Sequence, residues 1–589
     1  MSSTNAHPQA GISYTTPTKK AVFTSSVEAG PSRPRPSGAS PAYSSRRHSL
    51  YGIEDRVVLD LGSRIWKVGF SGEPEPRAVF FSQDPHDKHS ASEAWDLDME
   101  SVHGIHGSRS EGGRLIGVRI LQKLRETFIK HLLADSKQRK VIIAENTFLP
   151  TYIKEHIAHA LFDNLRVPSV AFTPSSLLAL AACGRITGLV VDVGWLETTI
   201  TPVYNSRPLF PLSRSTPLAG RRLHTRLRSL LFHHAIYIAP PKSLGDLSRE
   251  KRLGVPLDLL TDTLVERVIT EGLLVGGVLN EPGGDADVEM EVEFNDYTQD
   301  NVPRGKRKLE DSRLIDLLRL RFASTSTSKD MTFPVHTVKG SIQMGHDTII
   351  VPGWIRERAA EVLFQDDEED EGESIVSALL NTIIKLPVDL RPSLISSILI
   401  TGGSASLPGF IPRLRVSLLR SLLAPPQSLG DTPGPPSPLN TLASRKEQAS
   451  LWKRRTQEPY RELYGLIDKV GILNDPAPVD GGKGGNAPRW VPGLMTWVGG
   501  SLAGVLRTGG PELTRETYDT LLSTSLARGD AYRQELEEAY HDVAASIGIN
   551  VEELKAGEAV RDGRGLGRRR GWKDGRGVVG DWSRAVKAG

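Results

Sequence analysis

Three features of this chain predict an α/β fold. Short apolar strands alternate with stretches of helical period. Two strand–turn–strand units repeat one design, in which an apolar strand delivers an aspartate to a glycine turn. A third strand runs into paired glycines before a helix. Taken in order, Val57–Asp60, Ile65–Phe70 and Ala78–Phe81 read as strands separated by glycine-containing turns. Val141–Ala144 is another short apolar run, and Ile153–Leu165 has helical spacing that stops before Pro168. Leu177–Ala182 reads as the end of a buried helix stopped at Gly184. Leu189–Asp192 and Thr198–Tyr204 repeat the hairpin, and Ile375–Leu386, Ser397–Thr401 and Pro412–Leu423 read as helix, strand and helix.

The 589 residues suffice for two to four domains with a sizeable core. Hydrophobic residues make up 38% of the chain, and the mean hydropathy of −0.26 fits a soluble protein diluted by polar segments. No apolar run is long enough to span a bilayer, and the first residues show no basic start followed by an apolar block. Cys183 is the only cysteine, which excludes an intramolecular disulfide and a cysteine-rich zinc site and fits a reducing compartment. A net charge of +3 does not by itself call for nucleic acid.

Composition also marks the segments between. Residues 1–54 are rich in Ser, Pro, Thr and Ala, and read as a disordered tail that cannot bury enough surface to offset its ordering entropy. The stretch 281–310 is acidic and then basic, and reads as an exposed insertion. QDDEEDEGE at 365–373 is a charged loop. The segment 424–440 is a proline-rich spacer, and 478–488 is glycine-rich. From Gly557 the chain alternates Gly, Arg and Lys, and Asp530–Ala545 has the charge spacing of a solvated helix.

Three motifs carry the chemistry. In residues 57–80 (VVLDLGSRIWKVGFSGEPEPRAVF) a strand places Asp60 beside a turn made by Gly62 and Ser63. Such a turn presents consecutive backbone N–H groups to a phosphate, while Asp60 suits the hydration shell of Mg²⁺ and Lys67 neutralises phosphate charge. Residues 188–204 (GLVVDVGWLETTITPVY) repeat the design with Asp192 and Gly194, so the two units suggest a duplicated fold whose halves clamp one ligand. In residues 397–414 (SILITGGSASLPGFIPRL), Gly402 and Gly403 permit close approach of a flat ligand or phosphate. A plain glycine-turn hairpin, or a tight strand–helix turn, is the ordinary alternative for each motif alone.

In this order the three motifs resemble those of the actin family. Residues 57–80, with PRAVF, resemble its first phosphate loop, 184–194 (GRITGLVVDVG) the approach to its second, and 397–410 its adenosine-side motif. LAGR at 218–221, AEVLFQ at 360–365 and WVGGSLAG at 497–504 match as well, so the resemblance covers roughly 55–520 with insertions. It implies an actin-like ATPase fold of two lobes, each with a duplicated mixed sheet and flanking helices, and ATP or ADP with Mg²⁺ in the cleft between them. Asp60, Gly62, Ser63, Lys67, Asp192 and Gly194 would face phosphates, with Asp60 and Asp192 reaching the metal through water. Arg267 and Glu271 would meet the nucleoside, although Thr270 stands where the family has a lysine, and Gly402 and Gly403 would pack against adenine. The implied division is 1–54 tail, 55–81 and 115–185 first lobe with 82–114 as a shortened outer subdomain, and 186–423 second lobe. A 424–488 insertion, a 489–520 return to the first lobe and a 521–589 extension follow.

The departures from the family point away from hydrolysis. Ser175 stands where a glutamine orders the attacking water, and its short hydroxyl cannot reach the same position. In the second loop Trp195 replaces an acid, Leu196 a glycine and Thr199 a histidine, while Glu197 has the wrong offset to substitute. Between Ser82 and Arg114 about thirty polar residues replace the outer subdomain that grips the next filament subunit. Its histidines, His86, His89, His103 and His106, are irregularly spaced and read as solvated loop rather than metal ligands. The sequence therefore reads as a nucleotide-binding structural protein with weak or absent ATPase, which does not form a homopolymer. The resemblance implies a place in the cytoplasmic cytoskeleton, as the cap at the pointed end of the dynactin filament in dynein-driven transport. The expected partners are other actin-related filament subunits and pointed-end adaptor proteins, with no nucleic acid. The alternative is a nuclear subunit of a chromatin-remodelling complex. A sugar or glycerol kinase needs an acid poised over a substrate hydroxyl, and no candidate stands out.

Overall fold

The structure, a computed structural model, describes residues 56–83, 93–95, 111–239, 252–279, 309–310, 312–335, 347–366, 372–423, 459–476, 485, 487 and 491–526. All of them lie in one compact unit, Ile53–Gly589. The expectations for the 1–54 tail, most of the outer subdomain with its four histidines, the 281–308 and 424–458 insertions, most of 477–490 and everything after 526 fall outside the described residues.

Two sheets share one plan. In the first, β1 (Val57–Leu61) and β2 (Ile65–Phe70) form an antiparallel hairpin, with β3 (Ala78–Phe81) at the outer edge. β4 (Val141–Glu145) lies parallel to β1, and β5 (Ser169–Pro174) lies parallel to β4. In the second, β6 (Gly188–Val193) and β7 (Thr198–Tyr204) form the hairpin, and β8 (Arg207–Pro208) and β9 (Arg214–Thr216) pair with β7. A four-stranded antiparallel sheet follows from β10 (Ile236–Ile238), β11 (Arg252–Gly254), β12 (Met331–Val335) and β13 (Asp347–Val351). β14 (Ile398–Thr401) then lies parallel to β6, as β4 does to β1. The strands next to each hairpin, VIIAE and ILIT, are apolar up to their last residue, because helices cover both faces and leave no polar side to alternate.

The helices are amphipathic where they cover a sheet. α1 (Glu111–Glu126) buries Ile120 and Leu124 on the first sheet. α2 (Thr151–His159) widens into π-type turns over Ala160–Asn164, so the period read over 153–165 is one continuous coil with two geometries. α3 (Ser175–Ala182) starts one residue after β5 and touches β4 and β5 of one sheet and β6, β7, β8 and β14 of the other. α4 (Gly220–His234) and α5 (Asp262–Gly272) lie in the second lobe with α6 (Ser312–Phe322), α7 (Gly353–Arg358) and α8 (Ile375–Lys385). α9 (Arg391–Ile395) precedes β14, and α10 (Phe410–Leu422) follows it.

The chain then returns to the first sheet. α11 (Met495–Leu506) crosses α3 where a Cβ on Gly499 would stand 1.7 Å from the Leu178 carbonyl oxygen, an approach only glycine allows. Trp497, fully buried, donates its indole N–H to the Val58 carbonyl at 3.2 Å. β15 (Leu513–Thr514) completes the far edge of the sheet on β5, and α12 (Arg515–Leu526) stacks Tyr518 on Phe162. The two largest apolar clusters lie one in each lobe, with three smaller ones around α3 and α11.

Candidate functional site

The two hairpins are built alike to the residue. The Gly62 N–H donates to the Ile65 carbonyl at 3.2 Å, and the Gly194 N–H donates to the Glu197 carbonyl at 3.1 Å. In each, the aspartate two places before the glycine pairs across the hairpin with the residue seven places on: Asp60 with Lys67, and Asp192 with Thr199. A β-branched hydroxyl thus stands in the second unit where the first has a cation. Lys67 donates to Asp60 Oδ2 at 2.6 Å, and both side chains are mostly buried.

Both turns open on one cavity of about 370 Å³, lined by Asp60, Gly62, Ser63, Lys67, Asp192, Gly194, Gly402 and Gly403 among others. This is the volume of a small-molecule cleft. Burial, and then the Asp60 charge, push the Asp192 carboxyl up to about 6, while Lys67 works the other way. Glu197 is also raised, first by burial and further by Asp192, against a hydrogen bond from Ser215. The cavity is therefore lined by the carboxylates Asp60, Asp192, Glu197 and Glu266 against the cations of Lys67 and Arg64.

The far wall is the turn after β14. Gly402 sits at φ +100°, and a Cβ there would lie 2.3 Å from the Val193 carbonyl oxygen, so the turn presses directly on the second hairpin. Ser404 clinches it by donating from Oγ to the Gly194 carbonyl at 3.1 Å. Gly403 has nothing within 4 Å of its missing Cβ, which leaves a flat open surface. The first N–H groups of α4 meet the second turn as well: Gly220 donates to the Gly194 carbonyl at 3.1 Å and Arg221 to that of Trp195 at 2.8 Å.

Not every expected residue reaches the cavity. Arg267 and Glu271 pair with each other along the outer face of α5 at 3.1 Å, and Arg267 also donates to the Pro334 carbonyl. The cavity is lined instead by Glu266, Ile269 and Thr270 from the neighbouring face of that helix. Ser175 is buried at the start of α3 and is not among the lining residues.

Arg64, which the motif reading passed over, links the parts. Its guanidinium donates to Glu266 Oε2 at 3.0 Å, lies 3.8 Å from the centre of the Trp195 ring and is almost wholly buried. Trp195 in turn donates its indole N–H to Glu93 at 2.8 Å and meets His224 edge-on. The first turn, the second turn and α5 are thereby tied together across the mouth of the cavity. Only the oddity of an arginine directly after Gly-Ser could have flagged it.

The donor set fits a nucleotide with a divalent cation. Asp60 and Asp192 face one cavity under mutual repulsion, which a hydrated cation relieves, and Gly403 leaves the flat surface a base requires. Among the described residues no cluster of three or more His, Cys, Asp or Glu side chains is placed to hold a metal ion. No helix among the described residues is long and apolar enough to cross a membrane.

Comparison with known proteins agrees with this geometry. The actin family matches residues 54–266 and 292–429. The chain is 22% identical to actin-related protein 10 of Dictyostelium discoideum, over 78% of this chain and 85% of that protein. It is 24% identical to actin-related protein 4 of Arabidopsis thaliana, over 63% of this chain and 86% of the relative. It is 25% identical to centractin of Saccharomyces cerevisiae, over 61% of this chain and 80% of the relative.

Proposed function

The chain belongs to the actin family, and from that premise we propose that it is a nucleotide-binding structural subunit that caps the pointed end of the dynactin actin-like filament and supports dynein-driven transport. One observation carries the reading: the cavity keeps the aspartates and lysine of both hairpins, while the loop that should order water is filled by Trp195 and Leu196, with Ser175 outside it. Asp60 and Asp192 would hold the hydration shell of Mg²⁺, Lys67 would balance phosphate charge, and the Gly62–Ser63 and Gly194 turns would offer backbone N–H groups to the phosphates. Gly402 and Gly403 take the base. The metal supplies charge neutralisation at the phosphates when bound. Leu196 is buried and Trp195 is committed to Arg64 and Glu93, so neither positions an attacking water. The nucleotide then stabilises the closed pair of lobes by mass action rather than serving as fuel.

Filament ends follow from the same logic. A subunit propagates a filament only if two complementary faces persist. Here 82–114 is read as a shortened outer subdomain, so one face docks on a filament and the other recruits adaptor proteins instead of a further copy. The similarity to actin-related protein 10 and to centractin supports placing the chain among cytoplasmic filament proteins. The similarity to actin-related protein 4, together with the basic tail after Gly557, favours a second reading as a nuclear subunit of a chromatin-remodelling complex. Affinity purification from cell extract separates the two: dynein-linked filament proteins support the cap and remodeller helicases support the alternative. For the purified chain, the cap reading expects retained nucleotide, steady ATP turnover well below about 1 s⁻¹, and no homopolymer with Mg-ATP and salt. Turnover at or above that rate, homopolymers in electron micrographs, or binding along filament sides without end preference refutes it.

A further inference from the structure

A second cavity, of about 590 Å³, lies in the second lobe away from the cleft, lined by Val278, Leu279, Arg321, Phe322, Glu361, Gln365, Arg413 and Arg420. Three arginines face one carboxylate there. Glu361 is already shared: Arg413 Nη2 donates to Oε2 at 2.8 Å, and Arg358 Nη1 donates to Oε1 at 3.0 Å. The Arg413 side chain is 9% exposed, and its Nε and Nη1 have no hydrogen-bond partner among the described residues. Burial, with Arg358 and Arg420 nearby, lowers its pKa, whereas Glu361 raises it. A buried guanidinium with donors left over is costly unless an acceptor completes it.

α10 explains the arrangement. Phe410, Leu414, Leu418 and Leu422 bury one stripe of the helix. Arg413 and Arg420, two turns apart, therefore share an adjoining face and point at the same hollow. Arg420 is fixed at its rim by donating to the Leu279 carbonyl at 3.1 Å. Arg321, from the end of α6, closes the third side.

We propose that this pocket binds a phosphate group, which the cleft reading does not use. Arg321, Arg413 and Arg420 outnumber the single Glu361 carboxylate around the hollow, a positive excess that the several charged oxygens of a phosphate balance. The hollow is larger than phosphate alone and takes the body that carries it. That body is either a small phosphorylated metabolite or a phosphorylated side chain of a partner protein.

The test is calorimetric titration of the full chain with pyrophosphate and, separately, with a phosphoserine peptide, both without magnesium. Parallel titrations use Asp60→Ala, which disables the cleft, and Arg420→Gln and Arg413→Met, which disable this pocket. Binding should survive Asp60→Ala and weaken about tenfold in Arg420→Gln, a variant whose exposed position spares the fold. Thermal melts confirm that each variant is folded. Tighter binding of pyrophosphate assigns the site to a metabolite, and tighter binding of the peptide assigns it to a partner. Binding that Asp60→Ala abolishes and Arg420→Gln leaves intact overturns the proposal. So does the absence of any binding, the result expected if a carboxylate of the chain itself fills the pocket.

Discussion

Arg64 and Glu266, 202 positions apart in sequence, meet at 3.0 Å and fasten the first hairpin to helix α5 of the opposite lobe. The guanidinium is held between that carboxylate and the face of Trp195. Replacing Arg64 by Ala leaves Glu266 without this partner and removes the cation–π contact, and should cost about 3 kcal/mol. The loss should be read in chemical denaturation, with faster amide exchange in Asp262–Gly272 as the sign of a loosened cleft. Unchanged exchange in that helix would mean that the bridge does not hold the lobes.

Asp60→Ala should weaken nucleotide binding and lower the melting temperature together, because it removes the carboxylate that Lys67 pairs with at 2.6 Å. Breaking such a part-buried pair is expected to cost about 2 kcal/mol before any nucleotide effect. Equilibrium dialysis against labelled ADP, alongside melts with and without nucleotide, separates the two losses. Undiminished nucleotide affinity would remove Asp60 from the site.

Asp192 sets a pH dependence of unusual sign. Its folded pKa, about 6, lies above the ordinary aspartate value of 3.8, so between these values the folded state holds the proton that the unfolded state has lost. Its contribution to the stability of the nucleotide-free chain is therefore largest below the lower value, falls as pH rises through the window, and is lost above about 6. Asp192→Asn should raise nucleotide-free stability by ~1–2 kcal/mol at pH 7.5 and by much less near pH 4.5. Affinity for Mg²⁺-nucleotide should run the other way, weakening below about pH 6 in the natural chain. In Asp192→Asn it should be weak and flat with pH. A pH-independent affinity in the natural chain would contradict the assignment.

Gly402→Ala tests the wall between the strand end and the second hairpin. The new methyl would meet the Val193 backbone 2.3 Å away in a left-handed conformation, with a destabilisation of more than about 2 kcal/mol expected. Gly403→Ala, beside it, meets nothing and should leave the melting temperature within a degree or two. If Gly403→Ala weakens nucleotide binding while sparing the fold, the open surface is where the base lies.

Much of this is legible in the amino-acid sequence. The strands around Asp60 and Asp192 follow from apolar runs stopped at glycine, and the repetition of that unit announced a duplicated α/β plan. The face of α5 was legible too, but only through its periodicity. Leu264, Val265, Val268 and Gly272 are buried, which turns Arg267 and Glu271 outward and brings Glu266, Ile269 and Thr270 to the cavity. Matching the family's positions alone carries no such phase. Arg64 was not legible at all, because its meaning lies in a partner on another lobe and an indole contributed by a third segment. The spare donors of Arg413 were hidden for the same reason, since whether an arginine is satisfied depends on neighbours that only the packed fold supplies.

The return of the chain at Met495–Leu506 also governs when the first lobe can exist. Trp497 is driven against the back of β1, and β15 supplies the edge beside β5, so that face and edge of the first sheet, whose other face α1 and α2 already cover, stay open until the chain has been made past Met495. Contacts that span 439 positions close only after a large loop entropy is met. Throughout that interval Val57–Leu61 and Val141–Glu145, though paired with their own strand neighbours, lack the cover of that last helix, a state prone to self-association. The nascent protein therefore faces its greatest hazard on the ribosome and just after release, and its yield in cells should depend on sheltered folding far more than the stability of the finished structure suggests.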